Sequence, residues 1–203
     1  NYSNGSFSAT EVAIVNLATY EGTGNTLTLS KVTDLTLGAV EINVTISDSD
    51  LETATITGAL DTDPNLTTAD KVGPTISFAS ATGLTEATIG GVVANIDFTG
   101  ATNLETVSVS GVFADLTLSG NDDLTSVTVS GDSYGKITVN NADDLETLTL
   151  GHSVIATKAT TPVTNGGIVV TNNDNLTSLI VSKADKLGTL TITGNGDLAT
   201  LDF

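Results

Sequence analysis

The sequence contains no cysteine, methionine, tryptophan or arginine, and its only cations are six lysines. Without cysteine the chain forms neither a disulfide nor a thiolate metal site. The lysines stand against 24 acidic residues, which gives a formal net charge of -18. Nucleic acid and anionic membrane surfaces would repel so acidic a chain. We therefore expect no nucleic-acid partner, and the expected partners are cations, cationic surfaces or neutral polymers.

Long hydrophobic runs are also missing, so we expect no membrane insertion. Short pairs of the form apolar-x-apolar are present instead, at two interleaved sets of positions. One set starts at 76, 96, 116 and 137, and the other starts at 87, 107, 127 and 148. This alternation predicts strands with one buried face, and the Asn, Asp and Gly residues between them predict corners.

Strands this short are stable only when successive coils stack on each other. The sequence therefore predicts an all-β fold, a parallel β-solenoid with coils of about 20–22 residues and two strands per coil. About seven coils are expected in residues 44–203, and they start at 44, 76, 96, 116, 137, 168 and 190.

Three segments depart from the period. Residues 1–43 are strand-like but keep the register poorly, which predicts an N-terminal cap or degenerate coils. Loop insertions are predicted at 57–75 and 151–167, both leaving from the same corner of the solenoid. Long insertions on one side of a solenoid often form a binding or assembly face, and the alternative is that they are tolerated bulges.

The stretches "LTSVTVSG", "LETLTLGH" and "LTSLIVSK" carry the run Leu-x-x-Leu-x-Val-x-x-Asn-x-x-Leu. This pattern resembles leucine-rich repeats and the L domains of surface receptors over residues 44–203, without their helical side or cysteine caps. The composition, rich in Thr, Ser, Asn, Asp and Gly, is similar to that of repeat regions in secreted bacterial surface-layer proteins and adhesins. The resemblance implies an extracellular, cell-surface location and self-assembly or adhesion, often dependent on Ca²⁺.

Acidic residues collect in the corner before the second strand in four coils, within the triplets 48–50, 121–123, 142–144 and 173–175. The candidate calcium ligands are Asp48, Asp50, Asp122, Asp123, Asp143, Asp144 and Asp174. Stacking places Asp122 over Asp143 over Asp174, and Asp123 over Asp144, about 5 Å apart. Carboxylates this close repel each other, and oxygen ligands suit Ca²⁺. The alternative is that each aspartate caps its own backbone as an Asx-turn.

A second candidate surface is the outward face of the second strand. Its candidate binding residues are Thr53, Thr106 and Thr147 in one register and Thr55, Thr128 and Thr149 in the next. Flat threonine arrays on solenoids resemble ice-binding faces, so a carbohydrate- or ice-binding solenoid is the alternative function. Glu86, Ile180 and Asp202 interrupt the columns, few aromatic residues are available for sugar stacking, and threonine is also a common exposed strand residue.

Catalysis is not expected. Solenoid enzymes that cleave acidic polysaccharides need cations beside their acids, whereas the lysines here are scattered and the single histidine, His152, cannot anchor a typical zinc site. The sequence stops inside a strand, at "LATLDF", which predicts an open sheet edge, with a core plugged by Phe203 as the alternative. The favoured function is a structural or assembly module of a bacterial cell-surface protein, whose partners are itself, neighbouring domains or polysaccharide.

Overall fold

The structure is a computed structural model that describes residues 2–3, 7–11, 13–17, 20–21, 27–38, 44–46, 48–58, 75–79, 81–133, 135–151, 166–182 and 187–203. Every regular element in these ranges is a β-strand, and the predicted all-β class is confirmed. No helix of the described ranges could cross a membrane.

The strands are short because each one ends at a corner of a coil. In chain order they are β1 (Tyr2–Ser3), β2 (Phe7–Thr10), β3 (Ile14–Leu17), β4 (Tyr20–Glu21), β5 (Leu27–Ser30), β6 (Asp34–Leu37), β7 (Val44–Thr45), β8 (Thr53–Ile56), β9 (Thr75–Ser77), β10 (Glu86–Ile89), β11 (Val92–Asp97), β12 (Thr106–Val109), β13 (Val112–Ser119), β14 (Ser126–Val129), β15 (Asp132–Ser133), β16 (Ile137–Asn140), β17 (Thr147–Leu150), β18 (Gly167–Thr171), β19 (Ser178–Val181), β20 (Thr189–Thr193) and β21 (Thr200–Asp202).

Two parallel sheets contain most of these strands. The nine-stranded sheet has the order β21-β19-β17-β14-β12-β10-β8-β6-β3. The eight-stranded sheet has the order β20-β18-β16-β13-β11-β9-β7, with β15 paired to β13. Two further pairs, β1 with β4 and β2 with β5, are also parallel. The chain passes from one sheet to the other in every coil, which is the predicted two-strand solenoid.

The predicted coil starts coincide with one sheet. Residues 44, 76, 96, 116, 137, 168 and 190 all lie in strands of the eight-stranded sheet, in register with each other. The seven-strand path makes about six turns, about 21 residues apart. The period read from apolar pairs is therefore the coil length.

Strands upstream of residue 44 pair with the stack. β3 pairs with β6 and β6 pairs with β8, so the nine-stranded sheet extends back to Ile14. The assignment of residues 1–43 to a cap or to degenerate coils stays a prediction. The bulk of both predicted insertions, at 59–74 and 152–165, lies outside the described residues, as does His152.

The core is one continuous set of apolar columns. In strands such as β17, alternate residues point inward, since Leu148 and Leu150 are buried and Thr147 is exposed. A leucine two residues ahead of the nine-stranded sheet is fully buried in most coils, at positions 51, 84, 104, 124, 145 and 176. Phe78 and Phe98 stack with ring centroids 5.0 Å apart. Burial of these columns drives the stacking, since no single coil could hide its apolar face alone.

Candidate functional site

A four-residue turn carries the chain from the eight-stranded to the nine-stranded sheet. Its first carbonyl accepts a hydrogen bond from the N–H of the buried leucine, as in Leu145 N to Ala142 O at 3.2 Å. We call the two central residues of these turns the acidic corner. They are 49–50, 82–83, 102–103, 122–123, 143–144, 174–175 and 196–197.

Five of the predicted calcium ligands lie in consecutive coils of the acidic corner. Asp122, Asp143 and Asp174 each lie four residues before a strand residue. Those strand residues are Ser126, Thr147 and Ser178, which pair in register with each other. Asp123 and Asp144 occupy the next position, and Asp144 N donates to Asp122 O at 3.2 Å across the coils. All five aspartates are exposed. The structure thus brings them into two adjacent outward columns.

The other two predicted ligands are placed differently. Asp48 is only 6% exposed, and its two carboxylate oxygens accept backbone hydrogen bonds, from Val32 N and from Asp50 N, each at 3.0 Å. The bond from Asp50 N is the Asx-turn geometry of the alternative interpretation. Asp50 is exposed, but the next two coils carry Gly83 and Asn103 at its position. Both residues therefore lie apart from the five stacked aspartates.

The hydrogen bond from Val32 N to the Asp48 carboxylate follows from a shorter corner in the preceding coil. β16 ends at Asn140 and the buried Leu145 follows five residues later, whereas β5 ends at Ser30 and the buried Val32 follows two residues later. The shorter corner has no room for a turn, and the carboxylate of Asp48 in the next coil accepts the hydrogen bond of the Val32 N–H. A buried N–H without a partner would cost free energy.

Within the described ranges, no three His, Cys, Asp or Glu side chains form a group that could hold a metal ion. What the stacked aspartates offer is a row of carboxylates at the strand spacing of about 4.8 Å. Such a row attracts cations by charge and can share one between neighbouring coils. The calcium site stays a prediction.

Sequence reasoning missed the inward position of the same turn. The residue ahead of the acidic corner is buried in successive coils as Asp48, Ala81, Ala101, Asn121, Ala142 and Asn173. Asn173 Oδ1 accepts from Ala142 N at 3.0 Å, and Asn173 Nδ2 donates to Val139 O at 3.3 Å. Asn195 continues the series and accepts from Asn173 N at 3.0 Å. The sequence signal was the restriction of this position to Ala, Asn and Asp.

Asn121 differs from the other buried asparagines. Its Nδ2 donates to Phe98 O and Ala101 O at 2.9 and 2.8 Å, but its buried Oδ1 has no partner. Asn173 Oδ1 accepts from Ala142 N, and the donor at the equivalent position below Asn121 is Ala101 N. Ala101 N donates instead to Phe98 O of its own turn, at 3.1 Å. The side chain points into the solenoid, so this oxygen does not face the acidic corner.

The six candidate threonines lie in the two outward columns of the nine-stranded sheet that the sequence placed them in. Pairing runs from Thr53 through Glu86 to Thr106, and from Thr149 to Ile180 and Asp202, so the predicted interruptions are in register. Thr53 Oγ1 donates to Asp34 Oδ1 at 2.6 Å, which occupies one of the candidate hydroxyls.

A third column was also missed, next to these two. This column is formed by the residue directly after the buried leucine (or Val32) that ends each turn. Threonine and glutamate alternate there from coil to coil, as Thr33, Glu52, Thr85, Glu105, Thr125, Glu146 and Thr177. The hydroxyls of Thr85, Thr125 and Thr177 donate to the carbonyls of Glu52, Glu105 and Glu146 at 3.0–3.1 Å. Each bond joins two coils, so the hydroxyls are used for stacking.

Large apolar side chains are exposed only at the two ends of the nine-stranded sheet and at its neighbour β20, among the described residues. Leu190, Leu201 and Phe203 are 37%, 49% and 54% exposed in the last coil, and Ile14 of β3 is 66% exposed. Leu201 pairs with the fully buried Leu179, and Leu190 pairs with the fully buried Ile168. These leucines are exposed because no described coil lies on their outer side.

Comparison of the chain with protein-family models, with curated proteins and with solved structures finds no match. The structure itself defines the architecture of the chain, a parallel β-solenoid with two sheets.

Proposed function

We propose that this chain is a non-catalytic structural and assembly module of an extracellular bacterial cell-surface protein, of the surface-layer or adhesin type. The observation that carries the proposal is the parallel stack itself, in which strands pair in register and apolar columns run from coil to coil. The repeat resemblance and the acidic, cysteine-free composition support the cell-surface setting.

Calcium stabilisation is a further part of the proposal. Asp122, Asp143 and Asp174 form an exposed column of like charges at the strand spacing. A divalent cation between neighbouring carboxylates would relieve their repulsion.

A carbohydrate- or ice-binding face is the second candidate. It is favoured by one observation, the register of Thr106, Thr128, Thr147 and Thr149 on the outward face of one sheet. Thermal hysteresis of the purified protein, and binding to insoluble polysaccharides, would reveal this activity. Absence of both would exclude it.

Sedimentation velocity over a range of concentrations tests the assembly proposal. We expect the wild-type chain to associate as concentration rises, and Leu201→Lys to stay monomeric, because a lysine on a sheet edge opposes pairing. Thr128→Lys is the matched control, since Thr128 is an exposed residue in the middle of the same sheet.

The control variant should associate like the wild type. Wild-type protein that remains monomeric at every concentration would contradict the assembly proposal. Equal association of Leu201→Lys and wild type would show that association uses another surface.

A further inference from the structure

The corners that follow the eight-stranded sheet occur in two forms. In the closed form the strand ends early, as β11 does at Asp97, and the corner bonds itself through Ala101 N to Phe98 O at 3.1 Å. In the open form the strand continues for two more residues in register, as β13 and β16 do. The corner N–H then donates to a side chain of the following coil, as Ala142 N does to Asn173 Oδ1 at 3.0 Å.

Asn121 lies where an open corner stacks on a closed one. Phe98 O accepts two hydrogen bonds there, from Ala101 N and from Asn121 Nδ2, whereas the buried Oδ1 of Asn121 has no partner among the described residues. Reversing the amide would set Oδ1 against the carbonyl oxygens of Phe98 and Ala101, which are both acceptors. A buried acceptor without a donor costs free energy, so this junction is the least satisfied part of the buried corner.

We propose that the corner from Phe98 to Ala101 exchanges between the closed and the open form. In the open form Ala101 N donates to Asn121 Oδ1, and β11 continues through Thr99 beside β13. Phe98 O keeps its bond from Asn121 Nδ2, so one N–H moves from a carbonyl with two donors to an oxygen with none. The inference concerns the fold of this corner and does not depend on the assembly function.

The rest of the corner is already alike in the two forms. Gly100 in the closed corner and Gly120 in the open one both have positive φ, 78° and 66°. Each glycine N–H donates to the following coil, at 3.2 and 3.1 Å. The exchange therefore needs rotation only of the peptide groups between Phe98 and Ala101.

Opening this corner moves the junction to a coil where it leaves no amide oxygen without a donor. The corner of the preceding coil is also closed, through Ala81 N to Phe78 O at 2.9 Å. The residue stacked on that corner is Ala101, whose side chain has no oxygen. The junction between the two forms would therefore lie between two alanines.

Two contacts hold the corner closed. Asp97 Oδ1 accepts from Thr99 N at 2.9 Å, and the Phe98 ring stacks on Phe78 with centroids 5.0 Å apart. The open corners carry other residues in register with Asp97, namely Thr117, Thr138 and Val169. Asp97 is therefore the side chain that selects the closed form.

Nuclear magnetic resonance of the full chain tests the exchange. Couplings across hydrogen bonds identify the acceptor of Ala101 N, and relaxation dispersion detects exchange on the microsecond to millisecond scale. In the wild type we expect dispersion at Thr99, Gly100 and Ala101. Asn121→Ala removes the second acceptor, so it should abolish the dispersion and keep the coupling of Ala101 N to Phe98.

Asp97→Val should favour the open form, with valine chosen because Val169 occupies this register in an open corner. Loss of one hydrogen bond should raise the ratio of open to closed form about tenfold. A coupling from Ala101 N to the Asn121 side chain should appear, while the circular dichroism spectrum stays that of the wild type.

Ser77→Val is the matched control. Ser77 Oγ accepts from Ala79 N at 3.2 Å, which is the equivalent contact in the preceding closed corner. That corner has no side-chain oxygen stacked on it, so the coupling of Ala81 N to Phe78 should persist in the variant.

Two results would overturn the proposal. One is a wild type without dispersion, together with an Asp97→Val variant in which Ala101 N still couples to Phe98. The other is a nuclear Overhauser effect between a bound water and the Asn121 side chain while the corner stays closed, which would assign the donor to water.

Discussion

Asn173 shows how one side chain joins three coils. Its amide bonds the backbone of the preceding coil at Ala142 and Val139, and its Nδ2 also donates to Asn195 Oδ1 of the next coil at 3.0 Å. Turn backbone cannot complete a regular ladder, so a buried turn needs such side chains to bond its polar groups. Side-chain amides therefore hold the buried corner in the coils of Asn173 and Asn195.

Asn173→Ala should destabilise the protein by about 1–3 kcal/mol, because it leaves buried backbone groups at Ala142 and Val139 without partners. The free energy of unfolding by urea measures this. Asn175→Ala in the same turn is the control, and its exposed side chain should change stability by less than about 0.5 kcal/mol. Equal losses in the two variants would contradict a role for the buried amide.

Asp143 lies between Asp122 and Asp174 in the acidic corner, so it meets two like charges. Asp143→Asn should raise the melting midpoint in the presence of a chelator, because it relieves both repulsions. With Ca²⁺ present the order should reverse, since the wild type gains stability from the cation and the variant gains less.

The control for this experiment is Glu86→Gln. Glu86 is exposed on the nine-stranded sheet between Thr53 and Thr106, without an acidic neighbour in its column. Its midpoint should respond to Ca²⁺ as that of the wild type does. A wild-type midpoint that Ca²⁺ leaves unchanged would remove calcium from the proposal and leave the repulsion argument intact.

At the scale of the element, the corner that follows a strand determines where the strand ends. After the nine-stranded sheet the chain turns at Gly91 and Gly111, both at positive φ, and then at Gly131. A Cβ on Gly111 would lie 2.1 Å from the carbonyl oxygen of Gly91, and one on Gly131 would lie 2.0 Å from that of Gly111. These corners stack backbone on backbone, which only glycine permits.

Gly111→Ala should therefore cost more than Gly120→Ala. Both glycines have positive φ, 87° and 66°, and share the strain of a side chain there, about 1–2 kcal/mol. Nothing lies within 4 Å of a Cβ on Gly120, whereas a Cβ on Gly111 adds a clash with the backbone of Gly91 in the preceding coil. Urea unfolding of the two variants measures the difference, and equal losses would contradict the close approach of the coils.

The corner at Gly120 also shows what a turn tolerates. Asn141 and Asn172 follow β16 and β18 as Gly120 follows β13, and both asparagines have positive φ, 52° and 55°. Asparagine enters this region more easily than most residues. The structure thus has one corner that accepts asparagine and one, at Gly111, that is closed to any side chain.

For the whole molecule, the main opposing force is its charge. A formal charge of -18 on 203 residues, with exposed acids in neighbouring coils, repels itself in the folded state more than in an expanded chain. The continuous apolar columns must overcome this repulsion, and salt reduces it.

Sodium chloride should therefore raise the melting midpoint between ionic strengths of about 0.01 M and 1 M, where the Debye length falls from about 30 Å to about 3 Å. Calorimetry at neutral pH measures the midpoint, and potassium chloride is the control because screening does not depend on the cation. A midpoint that falls or stays constant with salt would show that charge repulsion contributes little.

The sequence by itself determined the period, the two-strand coil and the outward columns. These follow from alternation, since one buried face per strand specifies which residues pair, and the coil starts from Val44 to Leu190 are all in register. The threonine columns followed for the same reason, because Thr106 and Thr147 alternate with buried residues.

Only the tertiary structure decided which corner residues face inward. Asp48 and Asp143 both belong to Asp-rich turns, yet Asp48 is buried and bonds Val32 N while Asp143 is exposed. Asp48 is the first residue of its turn, a position that is buried in each coil from Asp48 to Asn173, whereas Asp143 is the second residue of its turn. Strand alternation is local and readable in the chain, whereas the inward position of a turn, and the backbone N–H that its side chain bonds, depend on how the coils stack.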